Sequence, residues 1–301
     1  MHMSYSFKID DDSLTTSLRR VALDQIDLAL EEAADEDISE AERIHQLRKR
    51  CKKLRGLVRL VRPGFDDYKF ENAAFREIAH RLSDVRDARA LVETFDALKA
   101  QFDDQLYADA FASIRRHFES RAKKVEAAPD LGARLGEAVE DLLAARERAC
   151  TWVVDTEEAG TIAGGIKKTY GRGCDAMATA RKSPTGETLH EWRKRAKYHW
   201  YHLRLLKRTS PVAKAEVDPA DELSELLGDH HDIHVMAQAL DASEGIADAD
   251  QMTAFRGLMR ARQDRIEAEA FRIGQAVFAE PPKVAAHRLS TYWRVWRDGA
   301  A

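Results

Sequence analysis

Residues 44–60 read I-H-Q-L-R-K-R-C-K-K-L-R-G-L-V-R-L, and residues 189–205 read L-H-E-W-R-K-R-A-K-Y-H-W-Y-H-L-R-L. A helix turns about 100° per residue, so His45, Arg48, Lys52, Arg55 and Arg59 fall within an arc of about 80°. Lys49 and Arg62 flank that stripe. Leu47, Leu54, Leu57, Val58 and Val61 lie opposite and supply an apolar face. In the second stretch His190, Arg193, Lys197, Arg204 and Arg208 repeat the stripe, with Lys194 beside it and Trp200 where Arg55 stands. Trp192, Leu203 and Leu206 mark its apolar side. Like charges at i,i+4 oppose each other on a helix. Such a stripe costs stability, which points to an anion or to acidic neighbours that offset it.

The two stretches are copies at a fixed offset of 145. The shift carries His45 to His190, Arg48 to Arg193, Lys49 to Lys194, Lys52 to Lys197 and Arg59 to Arg204. Further along it carries Asp84 to Asp229 and Asp87 to Asp232, with no insertion between. This is an internal duplication.

The charge distribution matters more than the total. The net charge is −4. Residues 43–62 hold nine Lys/Arg and residues 192–215 hold eight, with no acid in either stretch, so 31 of the 48 bases remain against all 52 acids. The picture is an acidic shell around two basic seams, and charge focused in a cleft attracts anions whatever the total. A hydrophobic fraction of 44% allows a packed core, and only seven prolines suit long helices. No apolar run approaches the roughly 18 residues of a membrane span, and the start M-H-M-S-Y-S-F-K lacks the apolar run of a secretory signal. Three widely spaced cysteines suit a reducing compartment rather than a disulfide framework. The expected location is cytoplasmic.

The apolar spacing predicts only helices. Residues 1–12 read as a loose lead, followed by helices over 13–37 and from Ser39, where Ser39 and Glu42 suggest a capping box, to Pro63-Gly64. Helices follow over 68–99, with a break near Asp84, then 103–126 and 131–153, with Leu135, Val139, Leu142 and Leu143 on one side. The second half restarts near Thr156, with a helix over 160–181. Ser183-Pro184 reads as the start of the second basic helix and Pro211 as its end. Helices over 219–241, 249–279 and 283–297 complete the set. The fold class is all-α: two similar helical bundles, 13–153 and 156–297, joined around residues 150–160.

Arg forks onto two phosphate oxygens, Lys acts as a point charge, and His45 and His190 can donate to phosphate, more so when protonated. Asp84, Asp87, Asp229 and Asp232 are candidates to face the bases and hold them in place. Two other chemistries compete. His190, His231 and Asp232 could build a metal-dependent phosphohydrolase, but Arg86 and Arg89 stand where the second copy has His231 and His234, and guanidinium ligates no metal. A nucleic-acid binder needs stacking aromatics, and the first basic stretch has none. Gly164-Gly165 before Lys167-Lys168 offers at best a helix-start anion site. No nucleotide-binding P-loop pattern occurs.

The chain resembles the CHAD family, the conserved-histidine α-helical domain. The resemblance rests on I-H-x-L-R-K-R-x-K-x-L-R at 44–55, L-H-E-W-R-K-R-x-K-Y at 189–198, the L-S-D-V-R-D and L-G-D-H-H-D segments, and the K-x-Y-x-R of Lys168, Tyr170 and Arg172. It implies one domain over 1–301 made of two four-helix-type bundles related by a pseudo-twofold axis, around a basic groove or pore that binds inorganic polyphosphate, often on polyphosphate granules. It adds Lys168, Tyr170 and Arg172 to the binding set, with phosphate or sulfate as the ion expected there in a crystal. No catalysis, cofactor or protein-held metal site is expected, and oligomeric state and any metal ion accompanying the anion stay open.

Overall fold

The helices arise where the apolar period and hydroxyl or carboxylate caps coincide. A computed structural model describes residues 5–102, 111–154, 157–243 and 245–299. Twelve helices lie among the described residues, in the order α1 (Leu14–Ala34), α2 (Glu40–Val61), α3 (Tyr68–Arg81), α4 (Ser83–Gln101), α5 (Ala112–Glu126), α6 (Leu131–Ala149), α7 (Glu158–Lys182), α8 (Gly186–Leu206), α9 (Pro211–Ala215), α10 (Val217–Asp241), α11 (Ala249–Val277) and α12 (Pro282–Asp298). No strand occurs among the described residues. The fold class is all-α, as the periodicity predicts.

In the first half α1 packs on α2 and α6, and α3 on α2 and α6; in the second, α7 packs on α8 and α12, and α8 on α10. The basic helix α2 also packs on α7 and α8. One large core therefore runs through both halves, from Leu18, Leu57 and Leu142 to Ile166, Trp192 and Leu289. A second core joins the α4–α5 hairpin to the α10–α11 hairpin through Phe95, Phe118, Met236 and Phe255. Each fully buried side chain of this size contributes about 1.5–3 kcal/mol of transfer free energy.

Several expectations need correction. The lead is packed: Tyr5 and Phe7 are buried, the Phe7 N–H donates to the Leu205 carbonyl at 2.9 Å, and Asp11 accepts from Ser17 and Arg20. Ser183 closes α7, and Thr185 caps α8 in a reciprocal box with Thr188. Pro211 opens the short helix α9 rather than only ending α8, because Ser210 caps it with proline in the first turn. The Ser39 hydroxyl accepts from Glu42 N, yet the Glu42 carboxylate turns forward to Gln46, so that box is half made. Leu143 is 49% exposed and leaves the apolar side of α6. The break after residue 68 falls at Leu82, and the second half has no break at the matching place inside α10. The expected restart at Thr156, and the start of the helix from 103, lie outside the described residues.

Candidate functional site

Close approach of helices builds the site. A Cβ on Gly56 would stand 2.8 Å from Tyr201 Cβ, so α2 meets α8 at a position only glycine permits. The His202 Nε2 lies 3.1 Å from the Gly56 carbonyl, and the Tyr5 hydroxyl donates to the Lys53 carbonyl at 2.8 Å. Gly165 is not a helix-start anion site. It lies inside α7, where a Cβ would strike the Leu60 carbonyl at 1.7 Å, so it lets α7 close on the end of α2.

This crossing lays the two stripes side by side. Arg59 sits 4.3 Å and Arg55 5.9 Å from the Tyr198 ring of α8. Lys197 and Arg204 sit 3.9 and 4.7 Å from the Trp200 ring. Aromatic faces attract cations by about 0.5–2 kcal/mol each. In a seam with few acids, these rings fix cationic heads that would otherwise repel one another. Trp200 thus organises two cations where its counterpart Arg55 would be a third.

Lys52 marks the centre. It is exposed to water, yet burial, then Arg48, Arg193, Arg86 and Lys197, lower its pKa to about 8. Its neighbours come from three helices, α2, α4 and α8.

Each histidine meets the α4 or α10 side chain that the offset pairs. His45 faces Arg86 of α4, while His190 stacks on His231 of α10 with ring centroids 3.9 Å apart. The offset of 145 carries Arg86 to His231. Burial, then Lys194 and Arg193, push His190 down to about 4; burial, then His190, push His231 down to about 3; burial, then Arg86, lower His45. At neutral pH the rings are uncharged, so they enter the site as polar neutral groups rather than as part of its charge.

The four aspartates divide. Asp87 lies 3.9 Å from Arg48, and Asp232 is held among Arg193, Arg86 and Lys52, although burial raises its pKa. Asp84 pairs with Arg134 and Asp229 with Arg262 at 3.2 Å, both outside the stripes. Arg48 also donates to the Ala79 carbonyl at 2.5 Å. Lys49 and Lys194 are exposed, the latter paired with Glu191. Lys168 and Arg172 are exposed on α7; Arg172 neighbours Arg62, which donates to the Gly165 carbonyl and Thr169 at 3.0 and 2.8 Å. Tyr170 stands apart: it is buried, its ring packs on His199 and Phe278, and its hydroxyl accepts from the Glu280 N–H at 3.1 Å.

Sequence reasoning left two contributors out of the site. Arg86 was readable as the partner of His231 in the duplication. Tyr198 as a platform for α2 cations was not, because its sequence position says nothing about which helix crosses it. Among the described residues, no group of three or more His, Cys, Asp or Glu is placed to hold a metal ion.

An all-helical fold with duplicated cationic helices brought side by side defines the class. The family model for the CHAD domain matches residues 20–241, and the chain belongs to that family. Among solved structures it is similar to the crystal structure of the CHAD domain from the plant Ricinus communis, at 15% identity over 96% of each chain with a TM-score of 0.55. At that identity the likeness concerns the fold. No curated protein matches the chain.

Proposed function

We propose that this chain binds inorganic polyphosphate along the seam between α2 and α8, without catalysing its turnover. The observation that carries the reading is the gathering of Arg48, Arg86, Arg193 and Lys197 near Lys52, whose pKa they lower together with burial. Like charges so gathered repel, and a linear polyanion relieves that repulsion along its whole length. The two stripes and the two offset-paired histidines suit a groove or pore with an approximate twofold repeat. Arg48, Lys52, Arg55, Arg59, Arg193, Lys197 and Arg204 would meet phosphate oxygens, with Lys49, Lys194, Lys168 and Arg172 at the approaches. Asp87 and Asp232 would hold guanidinium groups in place. No helix of the described residues is long and apolar enough to cross a membrane. A cytoplasmic protein, carried on polyphosphate granules, fits the family resemblance.

Nucleic acid fits less well, because the faces of Tyr198 and Trp200 are already covered by cations and offer no platform for bases. Arg48→Glu with Arg193→Glu places two acids at the centre of the seam. Retention on immobilised long-chain polyphosphate is expected to vanish while the helical circular-dichroism signal persists. Undiminished retention by the folded double variant would move the site elsewhere.

A further inference from the structure

A cavity of about 330 Å³ is walled by α7, α8, α11 and the α9–α10 turn, with Arg288 of α12 also in its lining. Leu203, Val212, Pro219 and Val277 make most of its wall apolar. Its volume is within the range of small-molecule sites.

Three features separate it from the cationic seam. Its ionised groups are Glu216, Glu280 and Arg288, in which the guanidinium pairs with both carboxylates, at 2.6 Å to Glu280. Two acids against one base disfavour a polyanion. Glu280 and Arg288 also lie beyond residue 241, outside the segment matched by the family model. Finally, His199 in its wall is 2% exposed, and its Nδ1 is buried with no hydrogen-bond partner among the described residues. Burial pushes that imidazole down to about 3, so it is neutral and offers one N–H and one lone pair. A buried polar group without a partner costs stability. The duplicated position, Leu54, is a fully buried leucine, so helix packing here does not require the histidine.

We infer that this cavity is a binding site for a small, uncharged aromatic molecule bearing one hydroxyl or N–H, held by apolar contact and by a hydrogen bond to His199. The Tyr170 and Phe278 rings, 5.1 and 5.6 Å from the His199 ring, already pack around it. Ionised ligands are excluded by the absence of an unpaired counter-charge.

Phenol is the probe, titrated into the full-length protein carrying 15N-labelled histidine. A saturable shift of the His199 ring resonances is expected, with long-chain polyphosphate leaving those resonances in place. His199→Leu, which copies the duplicated position, and Val212→Trp, which fills the half-exposed rim, are expected to raise the half-saturation concentration of phenol about tenfold or more. Phenol binding to His199→Leu can be read from probe line-broadening. No saturable shift at His199, or unchanged phenol affinity in both folded variants, would overturn the site.

Discussion

At the residue scale, proton linkage is the sharpest consequence of the site. His190 and His231 are stacked, neutral and hemmed by Lys194 and Arg193. Their folded pKa values lie below the ordinary value, so the unfolded chain takes up these protons first. Stability present above about pH 6.5 is therefore lost as pH falls through about 4, and thermal unfolding midpoints should drop over that window. A bound polyanion reverses the local field and raises both pKa values. Polyphosphate binding should then take up protons and tighten as pH falls from 7 to 5.5. Calorimetric titrations in buffers of different ionisation enthalpy measure that uptake, and proton release on binding would contradict it. Trp200 gives a second residue-scale prediction. Trp200→Leu keeps every cation but frees Lys197 and Arg204, each worth about 0.5–2 kcal/mol on the ring. Polyphosphate affinity should fall by about fivefold or more with little change in its salt dependence. The cations themselves were legible in the sequence as a periodic stripe. Their aromatic platforms were not, because cation–π partners are chosen by a helix crossing that no local period records.

At the element scale, two glycines set the geometry. Gly56 and Gly165 occur where α2 touches α8 and α7, with backbone or Cβ atoms in the place of any side chain. Gly165→Ala should destabilise by about 1–3 kcal/mol, since the obstruction is the Leu60 carbonyl and not a movable side-chain end. Urea unfolding reads this directly, and an unchanged midpoint would mean that α7 sits farther from α2. Helix positions were readable within a few residues for α1, α2, α7, α11 and α12, because each combines strong apolar spacing with a clear cap or proline. The misreadings were at junctions. Pro184 suggested a helix start, yet the Thr185–Thr188 box won by satisfying N–H groups on both sides. The lead around Phe7 gave no periodic signal, because it packs as an irregular segment between α8 and Trp293.

At the scale of the whole molecule, an acidic protein carries two acid-free cationic stretches on helices that pack on each other. The duplication makes this legible in sequence: the offset that pairs His45 with His190 also pairs Arg86 with His231 and Asp87 with Asp232, and Arg86 lies near His45 as His231 lies near His190. What the duplication could not disclose is that Asp84 and Asp229 serve Arg134 and Arg262, since those arginines lie in regions where the two halves differ. The central claim is that about six cations release their counterions together to one linear polyanion. The most direct measurement is the affinity for long-chain polyphosphate as a function of salt between about 50 and 300 mM. By analogy with single-stranded nucleic acid, log affinity against log salt should fall with a slope of roughly −4, and the slope should shrink in the Arg48→Glu, Arg193→Glu variant. A slope near zero, or one identical in the folded variant, would contradict the account.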